Sequence, residues 1–167
     1  MARALIVIDI QKDYFPGGVL PLWQAEETEA RLVAAIGRAR AAGDRVIHIR
    51  HISTAPTGLF VRDSVGSEIR PAILAAAPDA PVVIKQMADA FQETTLATHL
   101  DGIDEILVCG MMTQNCVAFT ALSRLADPWR VTVIPELCTA PIEIVHRIAA
   151  SALASKVAVA DGATLWP

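Results

Sequence analysis

The chain has little of what marks several large functional classes. Its three cysteines, Cys109, Cys116 and Cys138, cannot all pair internally, and none stands in the CxxC or Cys/His spacing of a zinc site. That usage suits a reducing compartment. Charge is sparse: 14 Lys and Arg against 18 Asp and Glu leave a net charge of -4, with no long run of one sign. No stretch interleaves basic with aromatic residues, which argues against nucleic acid and acidic membranes as partners. Every apolar run is broken by charge or proline before the ~20 residues a spanning helix needs. The apolar run before Asp9 is too short for a secretory signal and lacks its cleavage pattern. Neither a GxGxxG nor a P-loop pattern occurs, which weakens nucleotide binding. The expectation is a cytoplasmic protein acting on a small molecule.

What the chain does have is apolar residues, 53% of 167, enough for one continuous core and too few residues for a second full domain. Residues 1–167 are therefore read as one domain. Six short runs rich in Val and Ile lack polar alternation, as strands buried on both faces do. They lie near Ala4 to Ile10, Arg45 to His51, Pro81 to Gln86, Glu105 to Gly110, Arg130 to Pro135 and Val157 to Ala160. Helical spacing is expected over Ala25 to Ala42, ending before Gly43, over Gln114 to Ala126, and over Pro141 to Ser155, with a shorter helix at Thr94 to Leu100. The alternation predicts a single-domain, doubly wound α/β fold: a mostly parallel six-stranded sheet with helices on both faces. Pro16 to Pro21 and Ser53 to Gly66 are irregular and long enough to be loops covering a site.

Three side chains fall where strand-like runs end. Asp9 follows Ala4 to Ile8, Lys85 follows Pro81 to Ile84, and Cys116 lies just beyond Glu105 to Gly110. In an open parallel sheet those carboxyl ends share one edge, the usual place for ligands and chemistry. A thiol at a helix N-terminus beside a cation is expected to lean toward thiolate, with the carboxylate as general acid and base. A lone cysteine there is more often a buried core residue, the reading given to Cys109 and Cys138.

Ile8-Asp-Ile-Gln-Lys-Asp-Tyr-Phe15, Lys85 followed by Ala90-Phe91, and Gly110-Met-Met-Thr-Gln-Asn-Cys-Val117 resemble the signatures of isochorismatase-like cysteine hydrolases, and the similarity extends across essentially the whole chain. That superfamily includes nicotinamidases, N-carbamoylsarcosine and ureidoacrylate amidases, and isochorismatases that cleave a vinyl ether. The resemblance implies a catalytic triad of Asp9, Lys85 and Cys116, a cis peptide at Met111-Met112, and an oxyanion hole from the backbone N–H groups of Met112 and Cys116. It also implies a thioester on Cys116, no cofactor, and a homodimer or homotetramer.

The sequence departs from that pattern in places. Metal-binding relatives carry Asp-x-His just after the second strand, where this chain has His51-Ile-Ser53, so no metal site is expected. His48 and His51, three apart in a strand, point to opposite faces and read as ordinary strand or rim histidines. Lys12 replaces a frequent Asn, and Gln114 replaces a frequent Asp two residues before the nucleophile. Gln114 and Tyr14 are the candidate substrate-binding residues, Tyr14 reading equally as a half-buried turn aromatic. Trp23, Phe60, Met112 and Phe119 are candidate apolar walls or core, and Arg50, Arg62 and Arg70 are candidate carboxylate binders or locally paired surface residues. Cleavage of an amide or related C–N bond is the leading reading. Vinyl-ether hydrolysis, a non-catalytic ligand-binding module and a redox role for Cys116 are the alternatives.

Overall fold

The computed structural model describes residues 1–167. Six parallel strands, β1 (Arg3–Ile8), β2 (Arg45–His51), β3 (Val82–Lys85), β4 (Glu105–Met111), β5 (Arg130–Thr139) and β6 (Ala158–Val159), lie in the order β3-β2-β1-β4-β5-β6. The chain winds outward from β1 to one edge and then outward from β4 to the other. The β1–β4 boundary is thus the point where the strand order reverses, where open α/β sheets form clefts at the strands' carboxyl ends. β1 and β4 are buried almost throughout, which explains their unbroken Val, Ile and Leu runs.

The main helices are α1 (Ala25–Ala41), α2 (Pro71–Ala76), α3 (Ala118–Ala121), α4 (Glu143–Ala154) and α5 (Gly162–Leu165). In α1 the buried residues Ala25, Thr28, Glu29, Leu32, Ala35, Ile36 and Ala39 recur at three- and four-residue intervals, one buried and mostly apolar stripe. α1 ends at Gly43, whose φ of +84° is the left-handed turn that closes a helix without a Cβ penalty. None of these helices is long and apolar enough to cross a membrane.

Several elements differ from the sequence reading. Residues Gln114 to Ala126 form no continuous helix: a π-turn over Thr113–Val117 is followed by the four-residue α3 and a 3-10 turn at Arg124–Ala126. The Met112 carbonyl takes the N–H groups of both Asn115 and Val117, widening the first turn, and the Ser123 hydroxyl accepts the Leu125 N–H, ending one helix and starting the next. β5 runs past Pro135 to Thr139, with its register against β4 jumping from Val108↔Val133 to Gly110↔Cys138. Proline has no N–H to donate, so it sits where the ladder is interrupted. The helix expected from Pro141 starts at Glu143, Thr94 to Leu100 yields only a 3-10 turn at Leu96–His99, and α2 and α5 were not foreseen.

The two irregular loops are pinned from below. Buried Asp13 accepts the Phe60 N–H on Oδ2 at 2.7 Å and the Val19 N–H on Oδ1 at 3.3 Å, so one carboxylate holds both 16–21 and 53–66. A Cβ on Gly66 would lie 2.0 Å from Asp13 Oδ1, so only glycine lets the second loop approach.

Candidate functional site

The three strand-end residues converge. Asp9 leaves β1 with a left-handed φ of +53°, turning its side chain over the sheet edge, while its N–H still donates to the Ile49 carbonyl at 3.1 Å. Lys85 is the last residue of β3, inside the strand and not beyond it, and its side chain reaches past the end of β2 to place Nζ 2.9 Å from Asp9 Oδ2 and 3.1 Å from Cys116 Sγ. Asp9, Lys85 and Cys116 are each at most 2% exposed. Gly110 permits this convergence: a Cβ there would stand 2.2 Å from the Ile8 carbonyl oxygen, so any side chain would push apart the strand ends leading to Asp9 and Cys116.

The ammonium has four neighbours and three protons. Besides Asp9 and Cys116, Nζ lies 3.0 Å from the Met87 carbonyl oxygen and 3.0 Å from His51 Nδ1. The well-aligned hydrogen bonds go to Met87, Cys116 and His51, whereas Asp9 Oδ2 meets the ammonium at 2.9 Å as an ion pair off the line of a hydrogen bond, and Oδ1 is buried without a partner. That carboxylate is therefore open to accept a proton.

Burial raises the Cys116 thiol to about 12, the negative charge of Asp9 adds to the rise, and Lys85 opposes it. Burial and Asp9 thus act against the lean toward thiolate expected from the sequence. The cysteine lies within a π-turn rather than ahead of a helix, in surroundings that favour S–H. Lys85, disfavoured as a cation by burial, is held protonated by Asp9 and Cys116. His51 is lowered by burial and then by Lys85, so it stands neutral.

His51 is the site residue that sequence reasoning assigned elsewhere. It is the last residue of β2, paired in register with Lys85, and that position beside two other strand ends was the available signal. Its ligand atoms, with those of Asp9 and Cys116, fall within 4.8 Å of one another, a spacing that suits a cation. The cation already there is the Lys85 ammonium, within 3.1 Å of all three, so a metal would have to displace it and these residues do not fit one. His48, on the other face, sits under the Ala77 carbonyl.

The Met111–Met112 peptide is cis, and the Met112 N–H makes no hydrogen bond within the chain. Tyr14 is buried, its ring edge-on to Phe60 at 4.7 Å, and burial, then Asp9 and Cys116, keep its hydroxyl protonated. Phe60 also packs 5.7 Å from His51. Gln114 makes no hydrogen bond to Asp9, Lys85, Cys116 or His51. Its Nε2 reaches Met112 Sδ, its Oε1 is buried without a partner, and the residue lines the grooves beside α3 and α4. Trp23 packs near His146, and Phe119 is exposed. Arg70 pairs with Glu29 and covers Phe15, Arg50 bonds Ser67, and Arg62 is exposed, so two of the three arginines are structurally committed.

Residues 3–163 match the isochorismatase domain. The isochorismatase family protein YddQ of Bacillus subtilis (strain 168) is 31% identical over 152 residues, 89% of this chain and 84% of that one. Maleamate amidohydrolase of Pseudomonas putida KT2440 is 33% identical over 153 residues, 80% of this chain and 70% of that one. An isochorismatase family protein of Desulfovibrio vulgaris superposes with a TM-score of 0.88 at 26% identity, covering 98% of this chain and 96% of that structure. With a profile match across nearly its full length, the same fold, and relatives at this level of identity, the chain belongs to the isochorismatase family of hydrolases.

Proposed function

We propose that the chain hydrolyses an amide or related C–N bond of a small molecule through a thioester on Cys116, without a metal. The observation that carries this is the buried Asp9 carboxylate beside the Cys116 thiol, with Oδ1 free of partners and Lys85 balancing its charge at Oδ2. Asp9 takes the thiol proton as sulfur attacks the carbonyl carbon. Lys85 steadies the thiolate as it forms. The oxyanion meets the free Met112 N–H and that of Cys116. One such donor is typically worth ~2.7 to 4 kcal/mol of transition-state stabilisation. Asp9 then hands its proton to the departing nitrogen as the C–N bond breaks. It next accepts a proton from water, which attacks the thioester. Finally it returns that proton to sulfur as the acid leaves.

The amidohydrolase among the relatives supports C–N cleavage over other hydrolyses. Tyr14 and Phe60 form an apolar wall beside His51, and Phe60, held by Asp13, narrows the room there, which favours a small substrate. Assembly into a homodimer or homotetramer in the cytoplasm belongs to the same reading. α4 buries only Leu153 of its twelve residues, leaving Ile144 and Ile148 open to a second copy.

A panel of small amides assayed for ammonia, with intact-mass detection of an acyl adduct, tests the reaction. An adduct on Cys116 that is absent from Cys116→Ala is the expected result. Pyruvate release from isochorismate, with no amide turned over, would replace amide cleavage by vinyl-ether hydrolysis. Turnover that a chelator abolishes and a divalent ion restores would put a metal into the mechanism.

A further inference from the structure

His51 lies against the catalytic cation, yet the proposed reaction gives it no step. Its backbone is clamped on both sides by one buried side chain: Gln11 Oε1 accepts the His51 N–H and Gln11 Nε2 donates to the His51 carbonyl, each at 2.8 Å. Its ring is held by Phe60, and its Nδ1 stands 3.0 Å from Lys85 Nζ but 3.9 Å from Asp9 Oδ2. The groups facing the ring are Lys85 from β3, Asp9 from the end of β1 and Cys116 from the π-turn. The Gln86 carbonyl also acts on it. Next to an ammonium, a neutral imidazole nitrogen serves only as an acceptor.

The count of protons then gives His51 a task. Lys85 has three N–H groups and four neighbours within 3.1 Å, and the neighbour left without a directed bond is Asp9. Take away the acceptor at His51 and the freed N–H has one place to turn, the Asp9 oxygen 2.9 Å away. We propose that His51 is a positioning residue: by accepting a Lys85 N–H on Nδ1, it keeps that proton off Asp9 and leaves the carboxylate open as the base for Cys116. This rests on the reading of Asp9 and Cys116 given under the proposed function. A carboxylate already accepting a charge-assisted hydrogen bond gives up that bond to take a proton, so it is the weaker base.

The test needs no substrate. The rate at which iodoacetamide alkylates Cys116 is followed by peptide mass against pH in the wild-type protein, Asp9→Asn, His51→Leu and His51→Asn, with thermal melts to confirm folding. His51→Leu should slow alkylation several-fold and move the acid limb of the profile to lower pH. His51→Asn, which offers an acceptor oxygen near the place of Nδ1, should recover most of the rate. Wild-type alkylation by His51→Leu, or no recovery in His51→Asn, overturns the proposal for His51. Should the leucine variant not fold, His51→Ala answers the same question with added imidazole, whose failure to restore the rate counts against the proposal. Asp9→Asn separates the two readings. Slowed alkylation there keeps Asp9 as the base whatever His51 does, whereas an unchanged rate overturns the base itself.

Discussion

Lys85 is fully buried and neutralised mainly by Asp9, which makes it the residue whose loss should cost most. Lys85→Met keeps the length of the side chain but strands the Asp9 charge. Breaking a buried ion pair from one side costs roughly 3–5 kcal/mol, so its midpoint in denaturant should fall accordingly and its turnover should vanish. Cys116→Ala removes a nucleophile and little packing, so it should melt near the wild-type temperature with no measurable turnover, while Cys109→Ala, whose thiol is buried in β4 against the Ile6 carbonyl, should keep activity if folded. Normal turnover by Cys116→Ala would sink the thioester. The convergence of Asp9, Lys85 and Cys116 was legible because a carboxylate, a cation and a thiol each fell at the end of an apolar run. His51 was hidden because His51-Ile-Ser53 lacks the Asp-x-His metal pattern and a strand histidine has no other local signal, although the residue ends β2 as Asp9 and Lys85 mark the ends of β1 and β3. The upward push of burial on Cys116 was not legible either, since burial depends on what the rest of the chain lays over it.

Gly110 belongs to the packing of β1 on β4 more than to the site. Gly110→Ala places a methyl 2.2 Å from the Ile8 carbonyl oxygen at a backbone φ of +120°. Overpacking of this kind costs typically ~1–3 kcal/mol, and here it also spreads Asp9 from Cys116. The variant should lose stability and turnover together, and retention of both would show that the strands part without disturbing the triad. Strand positions were readable from continuous Val and Ile because both sheet faces are covered. The π-turn was not, because its cause is one carbonyl accepting two N–H groups, which no apolar periodicity encodes. The same holds for β5, whose extension past Pro135 depends on a register jump against β4 that only the pairing reveals.

For the molecule as a whole, stability should form a dome in pH. His48, His51 and His146 are lowered chiefly by burial from an ordinary 6.5, so stability present above that value drains as pH falls below it and protons favour the unfolded chain. Burial raises Cys116 and Cys138 from 9.0 to about 12, so on the alkaline side the unfolded chain ionises first and stability declines across that window. Denaturant midpoints from about pH 5 to about pH 11 check both limbs, and a midpoint that fails to fall as pH drops below 6.5, or as pH climbs above 9.0, would contradict the assignment. If α4 meets a second copy, Ile148→Glu should reduce the mass seen by light scattering to that of one chain, and an unchanged mass would place the contact elsewhere. A last consequence concerns where the cation stands. β3 is four residues long and lies at the sheet's margin, paired only to β2, so of the strands that carry the site it is the one a local opening would release most readily. Lys85 would leave with it, and the amide exchange rates of Val83 to Lys85 would then count how often the folded enzyme carries an unassembled triad.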